Sequence, residues 1–197
     1  MIVAGKDESS MLVFESERLL FRPLDHGDLA LSLALWTDPE ITKYVGGAQD
    51  KQTLISEHTK YMRRCAGGCI GVWTLTTLGS GEQIGTAILL PMPIEEIDTD
   101  WDLVVGEELP DCDIEVGYIL KKSAWGMGYA TEACLRLVQF GFENTDLQAI
   151  VATTDFDNLA SQNVLKKSGF IFEGVRRSYA EDCPGFRITR SQWEGSS

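Results

Sequence analysis

Basic side chains are scarce in this chain and absent from one long stretch of it. The sequence has 17 lysine and arginine residues against 30 aspartate and glutamate residues, a formal net charge of −13. Between Arg64 and Lys121 there is no lysine or arginine, whereas eleven acidic residues occupy that stretch. Nucleic-acid binding needs a basic patch, so we expect no nucleic-acid partner. The acidic stretch is either a solvated surface or a negative rim that attracts a cationic substrate.

Signals for membranes, export and metals are also missing. No apolar run reaches the length of a membrane span, and the first residues lack the long apolar region of a signal peptide. We therefore expect a cytoplasmic protein with no membrane partner. The five cysteines form no CxxC pair, and no cluster of metal ligands accompanies them. This pattern favours free thiols over a disulfide framework or a zinc site, and we expect no metal.

The length of 197 residues predicts a single domain, which we place at residues 14–197 after an N-terminal extension, residues 1–13. Strands are predicted at 18–22, 70–78, 83–90, 113–121, 147–154, 170–176 and 185–193. Helices are predicted from the Asp25 cap to Trp36 and at 51–66, 128–143 and 158–168. This order indicates an α+β (mixed α/β) sheet covered by helices. Residues 91–112, with three prolines and an acidic run, form a predicted acidic insertion that is either a substrate loop or a mobile segment.

The most informative local motif is the glycine turn, residues 126–128, which joins an apolar strand to the start of a helix. The first backbone N–H groups of a helix lack intrahelical acceptors and lie at the positive end of its dipole, so they attract anions. Glycines at 126 and 128 leave those N–H groups accessible. No Walker lysine follows and only one glycine pair is present, so neither the P-loop nor the dinucleotide fingerprint fits. The motif indicates another kind of pyrophosphate cradle, or else a turn that only redirects the chain.

Three segments together carry a family resemblance. In order, they are Asp113 to Leu120, Ser123 to Ala133 and Asn158 to Phe170. They resemble the GNAT acetyltransferase superfamily, particularly its RimJ/RimL branch. The sequences of members of that branch typically contain Glu-hydrophobic-Gly-Tyr, then Trp-Gly-x-Gly-Tyr-Ala-Thr-Glu-Ala, then Asn-x-x-Ser…Leu-x-x-x-Gly-Phe. The resemblance covers roughly residues 14–194 and implies an acyl-CoA N-acyltransferase domain. The acidic insertion has no counterpart in it.

The resemblance implies a GNAT-like fold and acetyl-CoA as the cosubstrate. The fold is a mixed, mostly antiparallel central sheet flanked by helices on both faces and splayed between the fourth and fifth strands. A bulge near Gly117 would accompany that splay, although a glycine inside a strand can also mark a close backbone approach. Asn158 would contact the cofactor or substrate. The backbone groups expected to hold the pantetheine arm and the pyrophosphate are those of Tyr118, Ile119, Leu120, Gly126, Met127, Gly128, Tyr129, Ala130 and Thr131.

Acetyl transfer from a thioester to an amine needs a base for the amine, a donor for the developing oxyanion, and a proton or hydrogen bond for the departing thiolate. By the resemblance, Glu115 would be the general base, acting directly or through water. Ser161 would donate to the thiolate, with Tyr179 as the alternative donor. The residues alone are also compatible with purely structural roles. Glu115 could be a solvent-facing strand residue, and Ser161 a small polar neighbour of a helix cap at Asn158.

The predicted function is N-acetyl transfer from acetyl-CoA to a primary amine by direct attack, through a ternary complex without a covalent enzyme intermediate. The acceptor is expected to be cationic, either a protein N-terminus or a small molecule such as a polyamine or amino sugar. An α-amino group, with a reference pKa of about 7.7–8.0 against about 10.4 for lysine, is the easier acceptor for a carboxylate base. The alternative is a catalytically inactive acyl-CoA-binding regulatory or interaction protein. A monomer and a homodimer are both compatible with the sequence.

Overall fold

The computed structural model describes residues 12–195. All but the last two residues of the predicted N-terminal extension, 1–13, lie outside the described residues. The elements in chain order are β1 (Phe14–Glu15), β2 (Leu19–Pro23), α1 (Leu29–Trp36), α2 (Lys51–Glu57), β3 (Gly71–Thr77), β4 (Gln83–Pro91), β5 (Ile114–Leu120), α3 (Tyr129–Asn144), β6 (Ala149–Thr153), α4 (Leu159–Lys167), β7 (Ile171–Ser178), β8 (Glu181–Thr189) and α5 (Arg190–Glu194). No helix among these residues is long and apolar enough to cross a membrane.

One eight-stranded sheet organises the fold in the order β1-β2-β3-β4-β5-β6-β8-β7. All neighbouring pairs are antiparallel except β5 and β6, which run parallel. β4 and β5 pair over their whole length, from Gly85↔Leu120 to Pro91↔Ile114, whereas β5 and β6 share the single register pair Glu115↔Val151. β5 and β6 therefore separate beyond Glu115. This confirms the mixed sheet and its splay, because β5 and β6 are the fourth and fifth predicted strands.

A buried face of α3 fixes this helix against the sheet. Cys134, Leu137, Val138 and Gly141 recur at helical spacing and are all buried. Gly141 allows the close contact, since a Cβ at this position would lie 3.0 Å from Cδ1 of Leu89 on β4. The start of α3, and with it the glycine turn, is thereby held near the end of β5.

Two predicted elements have the wrong bounds. The helix predicted at 51–66 ends at Glu57, because the chain passes through a 3-10 turn at Lys60–Met62 into left-handed residues 66–68. The strand predicted at 185–193 is instead β8, which runs from Glu181 to Thr189. There the Thr189 side chain accepts a hydrogen bond from the backbone N–H of Gln192, and the Gln192 side chain accepts one from the N–H of Thr189. This reciprocal capping box starts α5.

Candidate functional site

The glycine turn has the geometry of an open anion site. Gly126 and Gly128 have φ values of 72° and 82°, in the left-handed region that favours glycine. The first hydrogen bond of α3 runs from the N–H of Glu132 to the carbonyl of Gly128, at 3.1 Å. The N–H groups of residues 129–131 precede it and have no acceptor within the helix. A Cβ placed on Gly126 would meet nothing within 4 Å, so the front of the turn is open.

Arg18 holds this turn in place, which sequence reasoning missed. Its Nη1 donates to the carbonyl of Met127 at 3.0 Å, and its Nε donates to Oε2 of Glu132 at 2.7 Å. Its guanidinium also lies 4.5 Å from the ring centroid of Tyr129. Arg18 thus joins the start of β2 to the glycine turn and the first residues of α3. The sequence places Arg18 at a strand start, but nothing local signals a contact 109 residues away.

The free edge of β5 lies near the glycine turn. Residues 117–120 pair with β4, and within the described part of the chain they have no register partner in β6. The predicted bulge at Gly117 is absent, because the β4–β5 register runs without a shift. Gly117 instead accommodates its cross-strand partner: a Cβ there would lie 2.9 Å from Cγ1 of Ile88. The carbonyl of Leu120 is already engaged, since it accepts a hydrogen bond from the indole N–H of Trp125 at 2.9 Å.

Glu115 lies where β5 and β6 begin to separate, and its side chain is buried rather than solvent-facing. The residue is 4% exposed, and its Oε1 accepts a hydrogen bond from the hydroxyl of Tyr179. Burial raises the pKa of Glu115 to about 7, against the opposing effects of the Tyr179 hydrogen bond and the positive charge of Arg176. A carboxyl group with this pKa exchanges a proton near neutral pH.

Tyr179 reaches Glu115 from the hairpin tip, residues 178–181, which joins β7 to β8. Tyr179 and Ala180 have φ values of 52° and 58°, a left-handed conformation that is strained for residues with a Cβ. The N–H of Tyr179 donates to the carbonyl of Pro93 at 3.3 Å, and the N–H of Ala180 donates to that of Ile94 at 3.0 Å. The hairpin tip therefore connects Glu115 to the acidic insertion.

Ser161 contacts a different tyrosine, Tyr118 of β5. The Tyr118 hydroxyl lies 3.1 Å from Oγ of Ser161 and 3.3 Å from the Ser161 carbonyl oxygen. Burial raises the pKa of Tyr118, so its phenol keeps the proton. As predicted, Asn158 caps α4, its Oδ1 accepting a hydrogen bond from the N–H of Ser161 at 3.1 Å. The structure thus separates the two predicted thiolate donors: Tyr179 is hydrogen-bonded to Glu115, whereas Ser161 is hydrogen-bonded to Tyr118. The sequence analysis assigned no role to the side chain of Tyr118.

Comparisons with known proteins agree on one family. A model of the acetyltransferase (GNAT) domain matches residues 18–171. The chain is 28% identical over 186 residues to FsC-acetyl coenzyme A-N(2)-transacetylase of Aspergillus fumigatus, covering 89% of this chain and 75% of that protein. The structure resembles that of a GNAT-family acetyltransferase from Bacillus anthracis, with a TM-score of 0.70, 20% identity and coverage of 91% and 99% of the two chains. It also resembles spermidine N-acetyltransferase from Vibrio cholerae in complex with CoA and spermine, with a TM-score of 0.68, 17% identity and coverage of 91% and 99%.

Proposed function

This chain belongs to the GNAT acetyltransferase family and is an acetyl-CoA-dependent N-acetyltransferase, and we propose that it acetylates a cationic primary amine by direct attack, without a covalent enzyme intermediate. The observation that carries the proposal is the buried Glu115 carboxyl at the point where β5 and β6 separate. The proposal includes membership of the RimJ/RimL-like branch.

The glycine turn and the β5 edge fit the cosubstrate. The N–H groups of residues 126–131 would bind the CoA pyrophosphate at the positive end of α3, and the open front of Gly126 leaves room for it. Backbone groups of residues 118–120 would hold the pantetheine arm, apart from the Leu120 carbonyl that Trp125 occupies. Acetyl-CoA supplies the acetyl group as a thioester.

Glu115 is suited to accept the proton of the attacking amine. A general base works best when its pKa is near the working pH, and a pKa of about 7 meets that condition. The hydroxyl of Tyr179 donates to one carboxylate oxygen and orients the group, which leaves the second oxygen for the amine or a bridging water. We assign Tyr179 this positioning role in place of the alternative donor role considered from the sequence.

Ser161 is the proposed donor to the departing thiolate, and Tyr118 positions it. The phenol of Tyr118 has one proton to donate. If that proton goes to Oγ of Ser161, the serine proton is free to point toward the thiolate. If it goes to the Ser161 carbonyl instead, the serine proton turns back to the phenol oxygen. The first arrangement is the productive one, and the raised pKa of Tyr118 keeps its donor available.

Charge favours a cationic acceptor. The acidic insertion meets the hairpin tip that holds Tyr179 against Glu115, and its carboxylates attract an ammonium group. The A. fumigatus relative is named an N(2)-transacetylase, and the V. cholerae structure contains spermine, so both names point to amine acceptors. Protein N-termini, polyamines and amino sugars are the acceptor classes included in the proposal.

The direct test follows thiol release from acetyl-CoA with spermidine, amino sugars, free amino acids and short peptides. We expect release with a cationic amine and none without an acceptor. Binding of acetyl-CoA with no release on any amine would overturn the proposal and favour the alternative, a catalytically inactive acyl-CoA-binding regulatory protein. A melting temperature that rises with acetyl-CoA reports the binding independently of turnover.

A further inference from the structure

Four charged side chains form a ring of ion pairs beside Glu115. Nη2 of Arg176 donates to Oδ2 of Asp113, and its Nη1 donates to Oε1 of Glu173. Nε of Arg187 donates to Oε2 of Glu173 at 2.9 Å, and its Nη2 lies 3.6 Å from Oδ1 of Asp113. Because β6 and β8 separate β5 from β7 in the sheet, the ring ties the β7–β8 hairpin to β5 across β6.

The local sequence of the hairpin directs Arg176 toward β5. Phe172 and Gly174 pair with consecutive residues of β8, so Glu173 is an extra residue, a β-bulge, in β7. A Cβ on Gly185 of β8 would lie 2.8 Å from Cβ and 3.4 Å from Cδ of Arg176. The stem of Arg176 therefore crosses β8 where glycine leaves space, and its side chain is only 19% exposed.

The ring adjoins the proposed base on the same face of the sheet. Asp113 precedes Glu115 by two residues of an extended chain, so both side chains are directed to one face. Arg187 lies in the same row of the sheet, since Glu115 pairs with Val151 and Val151 with Arg187. The positive charge of Arg176, three residues before the tyrosine of the hairpin tip, acts on the Glu115 carboxyl and lowers its pKa.

The other groups around Glu115 differ from Arg176 in charge or in partner. The cross-strand neighbours on β4 and β6 are apolar. Tyr179 donates a hydrogen bond to the carboxyl but carries no charge, and Asp98 of the acidic insertion acts electrostatically on Tyr179 with a negative charge. Arg187 is cationic, but its nearest carboxylate is that of the bulge residue. Arg176 is therefore the group whose loss should most disfavour the ionised form of Glu115.

We propose that Arg176 is a positioning residue of the acetyl transfer, which holds the hairpin tip over Glu115 and keeps a positive charge beside that carboxyl group. The proposal rests on the proposed acetyltransferase function and adds a residue to its site. A base accepts a proton only in its ionised form, whereas burial favours the protonated form. Arg176 offsets part of that effect, and it acts through Glu115 rather than on the substrate.

The pH dependence of kcat/KM tests this role in Arg176→Gln and Arg176→Lys, with Arg177→Gln as the control. Arg177 is the next residue of the hairpin and pairs with Glu95 at 2.9 Å, so the control removes the same charge and one contact of the hairpin with the acidic insertion. In Arg176→Gln the acidic limb should move up by about one pH unit.

The size of the loss should itself depend on pH. Because Glu115 is about half ionised at pH 7, a rise of about one unit should lower kcat/KM about fivefold there. At pH 9 the carboxyl is ionised in both proteins, and Arg176→Gln should recover nearly wild-type activity, which a folding defect would not allow. Arg176→Lys keeps the charge and should retain most of the activity at pH 7. Arg177→Gln should keep the wild-type profile.

A spectroscopic titration measures the same charge effect without turnover. The ¹³C signal of the Glu115 carboxyl, identified by its loss in Glu115→Gln, should titrate about one pH unit higher in Arg176→Gln than in wild type or Arg177→Gln.

The outcomes separate this inference from the proposed function. An unshifted rate profile in Arg176→Gln, equal shifts in Arg176→Gln and Arg177→Gln, or a loss that persists at pH 9 would overturn the role of Arg176 and leave the acetyltransferase intact. A shifted carboxyl titration in a protein that acetylates no amine would support the coupling of Arg176 to Glu115 and contradict the proposed function.

Discussion

The buried carboxyl group of Glu115 should make the protein less stable as the pH rises. Burial raises its pKa from 4.5 to about 7, so the folded protein retains a proton that the unfolded chain releases between those values. This contribution to stability is full below pH 4.5 and is lost as the pH rises through about 7. At 1.36 kcal/mol per pKa unit, the loss is about 3 kcal/mol by pH 9. Glu115→Gln removes the titration and keeps an acceptor for the Tyr179 hydroxyl.

Urea unfolding of wild type and Glu115→Gln at pH 4.5 and 9 measures this effect. The free energy of unfolding of the variant, relative to wild type, should be about 3 kcal/mol higher at pH 9 than at pH 4.5. Other titrating groups are present in both proteins and cancel in the difference. Glu107→Gln, at an exposed position, should differ from wild type by no more than about 0.5 kcal/mol at either pH. A wild-type–variant difference that is the same at both pH values would refute the raised pKa.

Three further changes test the cosubstrate site and its supports. Gly126→Val should abolish the rise in melting temperature with acetyl-CoA, because valine disfavours a φ of 72° and fills the front of the turn. The control Gly81→Val, at a φ of 71° in the β3–β4 turn, should retain that rise in melting temperature. Tyr118→Phe should lower kcat about tenfold at constant KM for acetyl-CoA. In the double variant with Ser161→Ala it should cause no further loss of kcat, and additive losses would contradict the positioning role. Ala180→Gly should raise the free energy of unfolding by about 1 kcal/mol by relieving the left-handed strain, and an unchanged midpoint in urea would argue against that strain.

The parts of the fold that depend on local chemistry could be predicted from the sequence. The glycine turn and the Asn158 cap each follow from a few adjacent residues. The buried face of α3 follows from helical periodicity. The splay between β5 and β6 came from the family resemblance, because pairing between strands leaves no local signal.

The parts that depend on tertiary contacts could not be predicted. Strand alternation cannot distinguish a solvent-facing Glu115 from a buried one, since the hairpin tip that covers it lies more than 60 residues further along the chain. The hydrogen bond of Arg18 to the glycine turn likewise joins residues that are far apart in the sequence, so no local pattern predicts it. The capping box at Thr189 was a readable signal that the strand prediction overlooked.

The most direct test of the central claim is amine-dependent thiol release by wild type, Glu115→Gln and Ser161→Ala, with acetyl-CoA affinity measured in parallel. If Glu115 is the base and Ser161 the donor to the thiolate, each variant should lose about 100-fold or more in kcat. Each should still bind acetyl-CoA within about twofold of wild type, because the glycine turn and the β5 backbone are untouched. Wild-type turnover in both variants would contradict the account, and so would a loss that comes entirely from weakened acetyl-CoA binding.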